Sequence, residues 1–245
     1  MSDTTDPSLA FTLPVQLTKT IHRQPYPFIL PENNRQDGKI VLITGGGTGI
    51  GAVDFTPLRL LCRRQEKLDE TASSLKSASA GTKILTVKTD ITISGDVEKL
   101  FSKIKETFGR TADVVIANAG WSEAGTAGEH PVGKWWKIYE INVKGVYATI
   151  HHFIRSQSDP ATPTGTIVVV GSAASALVLP GLSAYSTSKF VGQRIVDFID
   201  RGGGQLVSVN WDLEAMEAHA KEISEKNLLR LQYLPILPVA GGSGI

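Results

Sequence analysis

Short, continuous apolar runs alternate along this chain with stretches in which apolar residues recur every three or four positions. That alternation predicts strands and helices in turn. Ile40 to Ile43 is the first run, short enough for a strand buried on both faces. A second strand, LRLLC, begins at Leu58, and a third, KILTVKTDI, ends at Thr89-Asp90-Ile91. ADVVIANAG is a fourth, ending in Asn118-Ala119-Gly120, and a fifth follows Gly165 and delivers Ser172 at its carboxyl end. Between them, residues 65–79 read as a helix, and residues 96–108 place Val97, Leu100, Phe101, Ile104 and Phe108 on one helical face. A long helical region covers 132–156, and residues 183–200 form another amphipathic helix. Past Asp200, Gln205–Asn210 reads as one more strand, and Trp211-Asp212-Leu213 opens a helix through about Lys226. Strand and helix repeat, with a glycine or polar signal at each strand's carboxyl end, so the expected class is α/β with a doubly wound parallel sheet.

Residues 1–37 contain Pro7, Pro14, Pro25, Pro27 and Pro31, which predicts an extended N-terminal arm. Residues 38–226 form the expected domain, and 227–245 a C-terminal tail. A length of 245 residues suits one large α/β domain. Net charge is +1, with 25 Lys and Arg against 24 Asp and Glu, which leaves no footprint for nucleic acid. The single cysteine, Cys62, excludes an intramolecular disulfide and points to a reducing compartment. No apolar run reaches the length of a membrane span. The opening MSDTTDPSLA is acidic and polar, unlike a signal peptide. A cytoplasmic protein is the expectation.

The chemistry begins where the first strand ends. Glycines at 45, 46, 47, 49 and 51 let the backbone turn sharply and approach a ligand, and a helix start beyond them would aim amides at a phosphate. A strand, a glycine loop and a helix start make a Rossmann-like dinucleotide site, with Thr44, Gly45, Thr48, Gly49, Ile50 and Gly51 as candidate contacts. Pro57 and the strand at Leu58 leave the next helix about seven residues, or about 10 Å, against about 17 Å for a five-residue strand. The first crossover is therefore short. At the end of the second strand stand Cys62, Arg63 and Arg64. The arginines could meet a 2′-phosphate with guanidinium forks, and a solvated pair opening the next helix accounts for them equally well. NADP is the leaning, and NAD stays open. Asp90, beside Ile91, could bond an adenine amino group or cap the following turn. Asn118, Ala119 and Gly120 permit close approach of a flat ring, and Asn118 can tie neighbouring strands. Asn142 lies mid-helix, where asparagine is a poor helix former. His151 and His152 are adjacent, face different directions and make poor joint ligands, so no metal is expected. Tyr185 and Lys189 stand four residues apart on a helix, so phenol and ammonium share a face. A positive neighbour favours a phenolate, and such a phenol can exchange a proton with a substrate oxygen.

With Thr44–Gly51, Asp90, Asn118–Gly120, Asn142, Ser172, Tyr185 and Lys189 in that order, the sequence resembles the short-chain dehydrogenase/reductase family over residues 38–200. The thirteen-residue step from Ser172 to Tyr185 fits as well. The resemblance implies an NAD(P)-dependent oxidoreductase that passes a hydride between nicotinamide and a carbonyl or secondary alcohol. Tyr185 would be the general acid/base, and Lys189 would lower its pKa and bind the nicotinamide ribose. Ser172 would orient the substrate oxygen, and Asn142 would support a proton-relay water. The apolar loop Ala176–Leu182 would line the substrate side, which favours a small, uncharged or apolar substrate. Helices 132–156 and 183–200 would make a homodimer or homotetramer. Two departures stand out. One is the compressed segment after Gly51. The other is the part after Asp200, where Trp211-Asp212-Leu213 replaces a Pro-Gly turn and no lid is visible. Both read as missing pieces, so the alternative is a catalytically impaired dinucleotide-binding or dimerising relative, truncated or spliced.

Overall fold

A computed structural model of the chain describes residues 17–34, 36–52, 58–62, 64–78, 83–199, 205–208 and 210–229. They divide into two compact units, with boundaries at Tyr26/Pro27 and Val196/Asp197.

The larger unit is built on five parallel strands: β1 (Val41–Thr44), β2 (Leu58–Cys62), β3 (Thr86–Lys88), β4 (Val114–Ala117) and β5 (Thr166–Val169). Their order across the sheet is β3-β2-β1-β4-β5. Thr44 stands level with Leu61, and Val114 with both Val41 and Thr166. Every second residue points to the same side of a sheet, and the core divides accordingly. Ile40, Leu42 and Val115 face Val97, Leu100, Phe101 and Ile104 of α2 (Ser94–Phe108) and Ala148 and Phe153 further along. Val41, Ile43, Val114 and Ile116 face Leu68 and Leu75 of α1 (Gln65–Ala78). Helices therefore cover both sides, as the alternating pattern predicts. Gly109, in the left-handed region at φ 73°, ends α2 by returning its N–H to Lys105 O at 2.8 Å. Among the described residues β5 pairs only with β4, and Thr166 and Val168 on it are exposed.

The expected continuous helix over 132–156 has three parts. α3 (Val132–Tyr139) and α4 (Val146–Ser156) flank a wide π turn at Glu140–Gly145. Asn142 sits in that turn and bonds sideways to other elements, so a normal α turn gives way to a wider one. Gly145 belongs there too, since a Cβ on it would come within 2.5 Å of Ile91. α5 (Ser183–Ile199) follows β5. The proline-rich approach to β1 is less extended than expected. It forms short 3₁₀ turns at Pro27–Ile29 and Pro31–Asn33, because proline presets the φ that opens a turn. The first crossover reaches only a 3₁₀ turn at Gly49–Ala52, and residues 53–57 lie outside the described part.

In the smaller unit, Trp211, Met216 and Leu229 are buried with Leu17, Leu213 and Ile223. Among the described residues of Gln205–Asn210, none belongs to a strand. Ile21 and Trp211 form one isolated antiparallel bridge, His22 N–H donates to Asn210 O at 2.7 Å, and Leu206 N–H to Leu229 O at 2.7 Å. These are single bonds to separate segments, so the alternating pattern is not accompanied by a ladder among the described residues. Asp212 caps α6 (Leu213–Ala218) by accepting from Ala215 N–H at 3.1 Å, and the helix expected through Lys226 breaks at His219 before α7 (Ala220–Glu225). His22 stacks on Tyr26 at 3.6 Å and reaches Asp212 at 3.4 Å.

Candidate active site

The carboxyl ends of β1 and β4 are sewn together. Thr44 Oγ1 accepts from Asn118 N–H at 3.0 Å and from Ala119 N–H at 2.9 Å, while Asn118 Nδ2 donates to Thr44 O at 2.9 Å. Asn118 thus ties neighbouring strands, as read from its position. The glycine loop folds back over this seam. Gly45 has φ 72°, and a Cβ on it would meet Ala119 Cα at 2.9 Å; on Gly51 it would meet Asn118 Nδ2 and Gly45 O at 2.6 Å. Only bare backbone passes here. Beside the loop opens a cleft of about 570 Å³ lined by Gly45, Thr48, Ile50, Arg64, Thr89, Asp90, Ile91, Asn118, Ala119, Gly120, Trp121 and Ile141. A backbone cradle, a partly apolar wall and an exposed guanidinium at one end fit the shape and charge of a dinucleotide. Asp90 lines the cleft and also caps its own turn, accepting from Thr92 N–H at 3.0 Å and Thr92 Oγ1 at 2.8 Å. Arg63 lies outside the described residues.

A second group of residues lies near Gly120, outside the lining of the cleft itself. Asn142 is 2% exposed, and its amide is engaged on three sides. Oδ1 accepts from Trp121 N–H at 2.8 Å, and Nδ2 donates to Trp121 O and to Ser188 Oγ, each at 2.9 Å. Lys189 is buried, donates to Val170 O at 2.7 Å and lies 5.9 Å from the Tyr185 ring centre. A Cβ on Gly120 would stand 3.3 Å from its Nζ, so the ammonium abuts the cleft. Burial pushes its pKa below the usual lysine value. Tyr185 is half-buried one turn earlier. Ser172 is extended at φ −156° and accepts from Ala174 N–H at 3.2 Å. Ser175 Oγ bonds both Ser172 O at 2.7 Å and Gln193 Oε1 at 2.9 Å, which ties the Ser172 loop to α5. The loop Ala176–Leu182 is joined to the segment after β4 by Gly125 N–H donating to Gly181 O at 2.9 Å.

The profile of the short chain dehydrogenase family matches residues 39–210. The chain belongs to that family. Among relatives, it is 31% identical over 185 residues to the short chain dehydrogenase pigC of Monascus ruber, covering 71% of this chain and 60% of that protein. To the 2-(R)-hydroxypropyl-CoM dehydrogenase of Xanthobacter autotrophicus it is 34% identical over 167 residues, covering 62% and 63%. It thus spans about three fifths of the length of these relatives. Among solved structures, an alcohol dehydrogenase from the archaeon Thermococcus sibiricus complexed with 5-hydroxy-NADP aligns at TM-score 0.59 and 28% identity, over 67% of this chain and 71% of that one. NAD⁺-bound xylitol dehydrogenase shares the fold at TM-score 0.61.

In this family member, sequence reasoning passed over Thr89, Trp121 and Ile141 of the cleft wall and the buried Ser188, although each adjoins a residue already singled out (Asp90, Gly120, Asn142 and Lys189). His152 Nε2 pairs with Ser94 Oγ at 2.8 Å rather than with His151 around a common ion. Among the described residues, no group of three His, Cys, Asp or Glu side chains is placed to hold a metal, and no helix is long and apolar enough to cross a membrane.

Proposed function

We propose that the chain is an NAD(P)-dependent oxidoreductase that acts on the carbonyl or secondary alcohol of a small apolar substrate, with Tyr185 as its general acid/base. The observation that carries this reading is that Lys189 Nζ lies beside Gly120 of the cleft wall, 3.3 Å from where a Cβ there would stand, one helical turn from Tyr185. When bound, the nicotinamide supplies or accepts the hydride. The Tyr185 hydroxyl gives a proton to the substrate oxygen in reduction and takes it back in oxidation, and the Ser172 hydroxyl holds the same oxygen. The Lys189 ammonium binds the nicotinamide ribose beside the Tyr185 phenol. Asn142, whose amide holds Trp121 and Ser188, would support a proton-relay water beside them. Arg64, exposed at the cleft, supports NADP over NAD, and the apolar loop Ala176–Leu182 supports an uncharged substrate. Exposed Val132, Trp136 and Tyr147 on α3 and α4, with Phe198 on α5, support a homo-oligomer through these helices. A reducing, cytoplasmic setting accords with the lone Cys62.

The test is separate titration with NADPH and NADH, followed by turnover over a panel of ketones and secondary alcohols. NADPH is expected to bind more tightly, and Tyr185→Phe to reduce kcat by about 10²–10⁴ with nucleotide affinity held. Equal turnover in Tyr185→Phe refutes the assignment. The edge of β5, unpaired among the described residues, and the lack of a strand among the described residues of Gln205–Asn210 favour a second reading, a dinucleotide-binding relative with impaired catalysis. Nucleotide binding with no turnover on any panel member selects it.

A further inference from the structure

One buried residue belongs to neither the cleft lining nor the reacting set, yet it bonds to both Asn142 and Tyr185. Ser188 is 0% exposed. Its Oγ accepts from Asn142 Nδ2 at 2.9 Å and donates to Tyr185 O at 2.8 Å. A serine bonding back along its own helix is common; one whose hydroxyl is gripped by a second buried side chain from another element is pinned in place. The grip continues, since the Asn142 amide also holds the N–H and C=O of Trp121 at the cleft wall.

The next residue along the helix is Lys189. Among the described residues its ammonium donates to the neutral carbonyl of Val170, and burial, with no carboxylate beside it, sets its protonation. A buried ammonium held by one neutral acceptor depends on the backbone that carries it. That backbone turn, Tyr185 to Lys189, is anchored by Ser188.

We propose that Ser188 is a positioning residue: its hydroxyl, bonded to Asn142 and to the Tyr185 carbonyl, fixes the turn of α5 that holds Lys189 between Val170 O and Gly120. The kinetic consequence rests on the oxidoreductase reading, whereas the positional one does not.

The experiment is competitive labelling of lysines in the intact chain with acetic anhydride, read residue by residue by mass spectrometry. In Ser188→Ala the labelling rate of Lys189 is expected to rise about fivefold through local opening, with the other lysines little changed. Ser188→Thr, which keeps the hydroxyl, is expected to restore slow labelling. In turnover, Ser188→Ala should reduce kcat about tenfold while KM for the nucleotide holds. Unchanged Lys189 labelling in folded Ser188→Ala overturns the proposal, as does a uniform rise across all lysines. Should the alanine variant not fold, Ser188→Cys fills the same space with a weak donor, and wild-type labelling of Lys189 there overturns the proposal equally. A wild-type chain without turnover would defeat the oxidoreductase reading and leave the labelling result to decide this one.

Discussion

Replacing Asn142 by alanine tests the site at its most connected point. The change deletes three hydrogen bonds, to Trp121 N–H, Trp121 O and Ser188 Oγ, in a place only 2% exposed. Ser188 keeps its bond to Tyr185 O, so the chief loss is a backbone N–H and a C=O left without partners. Each such group costs about 1–3 kcal/mol. Alanine is the better helix former and returns up to about 0.7 kcal/mol. The expected destabilisation is about 3 kcal/mol, which for a chain of this size lowers the melting temperature by about 6–12 °C. Thermal melts and urea titration measure it. Asn142→Asp keeps an acceptor for Trp121 N–H but loses both donors, and should fall between wild type and alanine. A melting temperature within about 2 °C of wild type in the alanine variant would refute the assignment of Asn142 as a structural staple.

Gly51→Ala is expected to cost about 1–3 kcal/mol and to weaken nucleotide binding, because the new methyl meets Asn118 Nδ2 and Gly45 O at 2.6 Å; calorimetric titration with NADPH reads the second effect. Lys189 has its pKa pushed below 10.5 by burial, so the unfolded chain binds that proton more tightly and stability rises with pH between the folded value and 10.5. Lys189→Met should flatten this rise in urea midpoints measured across alkaline pH. Burial raises the Asp113 pKa, but the Arg110 hydrogen bond, Ile40 N–H and the charges of Arg110 and Lys39 outweigh it and hold the carboxyl below 3.8. Its stabilisation is present above pH 3.8 and lost as pH falls through the lowered value, so Asp113→Asn should cost about 1–2 kcal/mol at neutral pH and converge with wild type in acid denaturation.

The sheet was legible because strands buried on both faces leave continuous apolar runs, and VLIT and VVIA stand out as such. The glycine loop was legible through the steric demands at Gly45 and Gly51, and Tyr185 and Lys189 through helical spacing. What stayed hidden depends on contacts far apart in the chain. Nothing local marks Ile141 as a cleft residue, and Asn142 announced an irregularity without revealing that a π turn absorbs it. QLVSVN has a strand's alternation, but a strand also needs a neighbour along its length, which no single segment encodes. The break at His219 left no mark in the apolar spacing of residues 213–226.

The border strand of the sheet has a consequence for handling the protein. Thr166 to Val170 is TIVVV, without a charge or a proline, and among the described residues its outer side is unpaired. Natural sheets blunt such borders with lysine, proline or a bulge. Here two partly folded chains can dock border to border, a second-order loss that competes with first-order folding. Recovery from denaturant should therefore fall as chain concentration rises, and slow dilution should return more material than rapid mixing at high concentration.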